Sequence, residues 1–146
     1  MFSFFSKNPI IIVLIACVVA YFFINPGGKF GYAQKNLVIY NRIPIPYYDL
    51  YIGPNGSYKP YEDISSKEAL DDIWFDLFHV PSEESILIII GTGFSRSTFV
   101  LSDEQAISIE AKGATLQQLP SRQAIKLYNS SLDQHKKVAI LLNMRQ

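Results

Sequence analysis

Cysteine is almost absent from this sequence, and histidine is scarce. The 146 residues include one cysteine, Cys17, and two histidines, His79 and His135. A single thiol cannot form a disulfide within the chain, nor can it build a cysteine metal site. Neither histidine has a nearby partner of the kind that metal binding or general-base catalysis requires, so we predict surface or helix-end positions for both.

Net charge is absent as well. Thirteen basic residues balance thirteen acidic ones, and no Lys/Arg cluster interleaved with aromatic residues is present, so we predict no nucleic-acid partner. The charges are segregated, with eleven acids against three bases from Asp49 to Glu104 and two acids against six bases from Gln105 onward. Such a split is typical of solvated faces, and the alternative is a charged surface for a partner.

Catalytic motifs are missing too. The sequence has no Gly-x-Ser-x-Gly elbow, no Cys/His pair and no set of spaced metal ligands. Asp71, Asp72 and Asp76 could coordinate a cation, but they fall on a predicted helix whose other side is apolar, which favours a solvated face. We therefore predict no catalytic residue, no metal, no cofactor and no enzymatic activity.

A long apolar run stands near the start. Between Lys7 and Lys29 lie 21 consecutive residues without charge. A helix of this length spans about 30 Å, the thickness of the hydrocarbon core of a bilayer. We predict an N-terminal segment, residues 1–28, with a single transmembrane helix at about 9–25 that contacts the lipid bilayer.

Three other interpretations of this run are weaker. A cleaved signal peptide would need a small-residue site, and bulky residues directly follow Val18-Val19-Ala20. The stretch from Leu14 to Cys17 resembles a lipoprotein box, yet the residues after it stay apolar. A mitochondrial transit peptide should be amphipathic and rich in arginine, whereas this segment contains none.

The C-terminal half alternates between strand and helix patterns. Apolar runs at 86–90 and 138–142 predict strands, and residues 115–119 predict a further short strand. Ser102, with Gln105 in capping-box position, predicts a helix that ends before Gly113, and Pro120-Ser121 begins another. Short connections between alternating elements predict a β-α-β-α-β unit with parallel strands.

The first half of the domain is less regular. After a linker at 29–35, residues 36–43 predict a strand, 47–52 a second strand, and 53–60 a turn. Ser65 and Glu68 have the spacing of a capping box, and the apolar residues that follow predict a helix with one buried face; these are Leu70, Ile73, Trp74, Leu77 and Phe78. Residues 36–146 should form a single compact α/β domain with a mixed sheet.

The stretch Gly91-Thr92-Gly93 follows a buried strand, where phosphate-binding turns often lie. Arg96 occupies the place of the third glycine of a dinucleotide fingerprint, and no Gly-Lys-Ser/Thr of a P-loop follows. We interpret the turn as architectural. The alternative is a small-anion site formed by Gly91, Thr92, Gly93, Ser95 and Arg96, with Ser97 nearby.

Several features of residues 86–142 resemble the mitochondrial complex I assembly factor three family and its small archaeal and bacterial relatives. The shared features are a strand that ends in Gly-Thr-Gly, a helix that ends in Lys112-Gly113, a strand that meets Pro120-Ser121, the stretch Ala-Ile-Lys-Leu-Tyr-Asn at 124–129, and a final Lys-Val-Ala strand. The resemblance implies one α/β domain, rich in sheet in its first half, without established enzymatic activity. The mitochondrial members act in the assembly of respiratory complex I.

Two functional hypotheses follow. In the first, the chain is a membrane-anchored accessory subunit or assembly factor of a membrane complex, most plausibly respiratory complex I or a related assembly. Its partners are then other subunits of that complex, in the mitochondrial inner membrane or, alternatively, a bacterial inner membrane. In the second, it is an anchored ligand-binding or enzymatic module that binds an anion or metabolite through the Gly91-Thr92-Gly93 turn.

Overall fold

The first helix carries the apolar run. The computed structural model describes residues 9–79, 84–96 and 99–144, and helix α1 covers Pro9–Ile24. The predicted helix is therefore present, and none of its residues is buried. Within the described ranges, no helix combines the length and the apolar character needed to cross a membrane; α1 has 16 residues.

A small antiparallel sheet follows α1 directly. Its strands are β1 (Phe30–Gln34), β2 (Leu37–Tyr40) and β3 (Ile43–Pro46), in that spatial order. The structure differs here from the predicted linker at 29–35 and from the predicted single strand at 36–43. Two-residue turns explain the difference, because Asn41 and Arg42 both have positive φ, the conformation that tight hairpins require.

The second sheet has five strands of mixed direction. They are β4 (Asp49–Ile52), β5 (Tyr58–Tyr61), β6 (Leu87–Gly91), β7 (Thr115–Leu119) and β8 (Val138–Leu142), in the order β5-β4-β8-β6-β7. Strand β6 is parallel to β7 and β8, whereas β4 is antiparallel to β5 and β8. The predicted mixed sheet and its parallel C-terminal unit are confirmed. The predicted turn at 53–60 is shorter, because Tyr58 already pairs with Ile52.

Three helices connect these strands: α2 (Lys67–Phe78), α3 (Asp103–Glu110) and α4 (Ser121–Asp133). The capping box of Ser102 and Gln105 is present as predicted. The N-cap of α2 lies one residue later than predicted, because the side chain of Ser66, not Ser65, accepts the N–H of Ala69.

The five-stranded sheet has a hydrophobic core on each face. One core joins it to α4 and the small sheet and includes Phe30, Val38, Tyr40, Ile125 and Tyr128. The other core joins it to α2 and α3 and includes Leu70, Ile73, Leu77 and Ile109. Strand β8 contributes alternate residues to both cores. The molecule is a single α/β domain in which every residue of β8 is buried.

A buried carboxylate connects distant parts of the chain. Asp49, 1% exposed, accepts the N–H of Ile64 at 3.1 Å and the N–H of Met144 at 2.7 Å, one on each oxygen. Charge-assisted hydrogen bonds of this kind are stronger than those between neutral groups. They fix the start of β4 beside the residues that follow β8.

Asn at this position should destabilise the domain. The substitution Asp49→Asn retains one acceptor but places an NH₂ group against a backbone donor, which should lower the free energy of unfolding by about 1–3 kcal/mol. Urea denaturation followed by circular dichroism measures the change. Asp71→Asn, at an exposed position, is the matched control; equal stability of the two variants would contradict the structural role of Asp49.

Candidate functional site

The Gly91-Thr92-Gly93 turn lies at the carboxyl end of β6, and all three residues are buried. The N–H of Thr92 donates to the carbonyl of Leu119 at 2.9 Å, and the N–H of Gly93 donates to Ser121 Oγ at 3.0 Å. In a phosphate-binding turn such N–H groups point at the ligand. Here both bond to other parts of the protein.

Ser121 is the centre of this arrangement. Its hydroxyl accepts from Gly93 and donates to the carbonyl of Asn143 at 3.1 Å, while its own N–H donates to the carbonyl of Gly93 at 3.0 Å. The side chain is fully buried. The sequence predicted Ser121 only as a helix start. A serine directly after Pro120 at the end of a strand was the available signal, but its partners lie more than twenty residues away on either side.

The turn also has little free space around Gly91. A Cβ atom there would lie 2.6 Å from Leu142 Cδ1 and 3.0 Å from Ser121 Oγ. The close approach of α4 and β8 therefore requires glycine. It favours the architectural interpretation of this turn, since its atoms are packed against other elements of the domain.

The remaining residues of the candidate anion site lie apart from the buried turn. Ser95 and Arg96 are exposed, and Ser97 lies outside the described residues. Three of the five candidate residues are thus buried and two are exposed. Of the buried ones, Thr92 and Gly93 donate their N–H groups to other parts of the protein. Anion binding beside Arg96 stays a prediction.

The histidines occupy helix ends. His79 follows α2, where its ring stacks on Phe75 with 4.9 Å between centroids and its Nδ1 lies 3.0 Å from the carbonyl of Phe75. His135 follows α4 and has a φ of +55°. Among the described residues, no group of three or more His, Cys, Asp or Glu side chains is arranged to hold a metal ion.

Two of the predicted helix aspartates bond to tyrosines of the sheet. The hydroxyl of Tyr51 donates to Asp76 Oδ2 at 2.6 Å, and the hydroxyl of Tyr61 donates to Asp72 Oδ2. Burial raises the pKa of Tyr51, and its bond to Asp76 raises that pKa further. The bond from Tyr61 is the main cause that lowers the pKa of Asp72. These carboxylates connect α2 to the sheet.

A groove separates α2 from α3 on the outer side of the domain. Its volume is about 530 Å³. The walls combine apolar and charged side chains; they are formed by Ser65, Lys67, Leu70, Asp71, Trp74, Phe78, Glu104, Gln105, Ser108, Ile109 and Lys112. The ammonium of Lys112 lies 4.7 Å from the centre of the Phe78 ring. The predicted apolar face of α2 is thus divided: Leu70, Ile73 and Leu77 are buried, while Trp74 and Phe78 line this groove.

Comparison with known proteins gives matches only among solved structures. No family model and no curated protein matches the sequence. The protein MT938 aligns with a TM-score of 0.54 and 23% identity, over 81% of this chain and 98% of that chain. A Mth938-like domain from Bordetella pertussis aligns with a TM-score of 0.60 and 14% identity, over 80% of this chain and 85% of the other.

The chain has the Mth938-like fold. This fold is shared with the complex I assembly factor three family, in agreement with the resemblance seen in the sequence. An outer membrane protein from Bartonella henselae has it as well, with a TM-score of 0.63 and 14% identity over 84% of this chain and 98% of that protein. These alignments extend well beyond residues 86–142. At such low identities they establish the fold and nothing more.

The substitution Gly91→Ala should destabilise the ligand-free domain. The added methyl group of Gly91→Ala would collide with Leu142 and Ser121, so we expect a loss of about 1–3 kcal/mol in the free energy of unfolding. Urea denaturation measures it. Gly27→Ala is the matched control, because the nearest atom to its new Cβ is 3.7 Å away. Unchanged stability of Gly91→Ala would refute the close packing of the turn.

Removal of the Tyr61 hydroxyl should raise the pKa of Asp72 toward the ordinary aspartate value. The lowered pKa means that this carboxyl group stabilises the fold above the ordinary aspartate pKa and loses that effect as the pH falls through the lowered value. In Tyr61→Phe this acid dependence should weaken. Carbon-detected NMR titration of Asp72 measures the shift, with Tyr58→Phe on the same strand as control. An unshifted titration in Tyr61→Phe would assign the low pKa to Lys59 instead.

Proposed function

We propose that this protein is a non-enzymatic accessory subunit or assembly factor, held at a membrane by α1 and docked through its domain against another subunit. The observation that carries the proposal is α1 itself. Its 16 residues are uncharged, none is buried, and its end is bonded to a folded domain. An apolar helix that the domain leaves uncovered requires another apolar environment, and lipid or a neighbouring membrane helix supplies one.

The face formed by α2 and α3 is suited to docking. These two helices carry seven acidic residues and one basic residue, Lys67. The acidic residues are Glu68, Asp71, Asp72, Asp76, Asp103, Glu104 and Glu110. Phe75 on α2 and Ile107 on α3 are 69% and 66% exposed. The groove walls carry two acids, Asp71 and Glu104, and two bases, Lys67 and Lys112, so the excess of acids belongs to the two helices as a whole. Exposed apolar side chains on helices with this acidic excess fit a partner segment that is apolar and basic.

The choice of a respiratory complex rests on the resemblance and the fold. The fold is shared with a family whose mitochondrial members act in complex I assembly, which supports a mitochondrial inner membrane protein, with a bacterial inner membrane as the alternative. The absence of catalytic motifs from the sequence supports a role without enzymatic activity. Attachment to a membrane also raises the local concentration of the domain, so a weak docking face can suffice.

Charge reversal should separate membrane attachment from docking. In membranes solubilised with mild detergent, we expect the wild-type protein in a particle far larger than the 16.5 kDa monomer. Asp71→Lys combined with Glu104→Lys should release it as a smaller species, while Ala16→Arg in α1 should shift it out of the carbonate-resistant membrane fraction, because arginine within an apolar helix costs roughly 3 kcal/mol.

The control for docking is Lys126→Glu together with Arg122→Glu, which reverses two charges on the exposed side of α4, a change equal in magnitude and opposite in sign. This variant should stay in the large particle. Recovery of the wild-type protein only as a free monomer would refute the proposal, and identification of the co-purifying proteins by mass spectrometry would test the assignment to a respiratory complex.

A further inference from the structure

We propose that the outer face of the small sheet β1–β3 binds the headgroup layer of an anionic bilayer beside α1. This inference rests on the proposed placement of α1 in a membrane and adds the orientation of the domain. The partner is the lipid surface, recognised through aromatic and apolar side chains that are flanked by basic ones.

Contacts at the end of α1 hold the small sheet beside this helix, at the level of the headgroup layer. The hydroxyl of Tyr21 donates to the carbonyl of Arg42 at 2.8 Å, and the Arg42 guanidinium lies 4.8 Å from the centre of the Phe22 ring. The turn between β2 and β3 therefore lies against the last turns of α1. Where α1 leaves the hydrocarbon, this turn is at the interface.

A buried asparagine holds the same geometry. Asn25 directly follows α1, its Oδ1 accepts the N–H of Tyr32 at 3.0 Å, and its Nδ2 donates to the carbonyl of Tyr21 at 3.1 Å. A Cβ atom on Gly31 would overlap Asn25. The close contact between the helix end and β1 restricts the angle between α1 and the small sheet.

The outer face of this sheet is apolar apart from Gln34, which pairs with Leu37. Along β2, Val38 and Tyr40 point into the core, so Leu37 and Ile39 belong to the opposite face. Their partners across the ladder are Pro46 and Pro44 of β3. Tyr32 lies on β1 and Tyr47 directly follows β3; both side chains are exposed, Tyr47 to 71%. Tyrosine rings of this kind are enriched at the boundary between lipid and water.

The charge of this region has one sign. The described residues 9–48 contain three bases, Lys29, Lys35 and Arg42, and no acid; Lys29 forms an ion pair with Asp133 of α4. Arg42 lies in the turn next to α1, and Lys35 lies in the turn at the opposite end of β2. A basic group near an anionic bilayer surface contributes about 1 kcal/mol, a factor of roughly five in the contact equilibrium.

A protein strand is a poorer occupant of this surface than lipid. Strand β3 is one of the two edges of the small sheet, and Pro44 and Pro46 have no N–H to donate to an added strand. Extension of the sheet by a partner at the β3 edge is therefore disfavoured. The surface is also continuous with the apolar helix α1, which makes the same bilayer the simplest partner for both.

Quenching of tryptophan fluorescence by brominated lipids tests the inference, because Trp74 is the single tryptophan and lies on α2, packed on the opposite face of the five-stranded sheet. The full chain is reconstituted in vesicles of phosphatidylcholine and phosphatidylserine with bromine near the headgroups. In a Trp74→Phe background, Phe22→Trp reports on α1 and Tyr47→Trp on the small sheet. Tyr32→Trp is a second probe of the sheet if Tyr47→Trp does not fold.

We expect strong quenching of Phe22→Trp and Tyr47→Trp and none of native Trp74. Lys35→Gln, or replacement of phosphatidylserine by phosphatidylcholine, should reduce quenching of Tyr47→Trp, by about fivefold in the contact equilibrium for Lys35, and leave Phe22→Trp unchanged.

Each other outcome overturns a distinct claim. Quenching of Phe22→Trp alone would leave α1 in lipid and refute the lipid contact of the small sheet. Quenching of neither probe would refute the membrane placement of α1 as well. A blue shift of Tyr47→Trp that depends on protein concentration and not on lipid would assign the surface to a second copy of the chain.

Discussion

The burial of β8 on both faces and along both edges is the constraint on which the rest of this domain depends. It pairs with β4 on one side and β6 on the other, so it joins the early antiparallel strands to the later parallel unit. Because its side chains alternate between the two cores, every layer of the molecule contacts it. The polar contacts of Ser121 and Asp49 with Asn143 and Met144 fix the residues that follow this strand.

The parallel half was predictable because its signals are local. Strands β7 and β8 have the predicted bounds: β7 lies between Gly113 and Pro120, and β8 is a short apolar run between polar residues. The small sheet was harder to predict because its turns use Asn41 and Arg42 at positive φ, where glycine is the usual signal. Lys59 and Pro60 in β5 also resemble turn chemistry, and pairing with β4 overrides that preference.

The candidate site was predicted only in part, for a physical reason. The position of the turn after β6 follows from the sequence, and so does the absence of a nucleotide fingerprint. The role of Ser121, and the bonds of Tyr51 and Tyr61 to the aspartates of α2, depend on contacts between elements far apart in the chain. No periodicity within one element encodes them. These contacts give Ser121 and the aspartates of α2 structural roles, although a search for motifs would treat the same side chains as potential ligands.

The position of β8 in the sheet also affects how the chain folds. Leu50 pairs with Leu142, so the middle of the five-stranded sheet requires contact between segments that are remote in sequence. Loop closure over such a distance is entropically costly, and domains rich in non-local pairing fold slowly. Until β8 pairs with them, β4 and β6 each expose an unpaired edge. Such unpaired edges make a partly folded chain prone to aggregation.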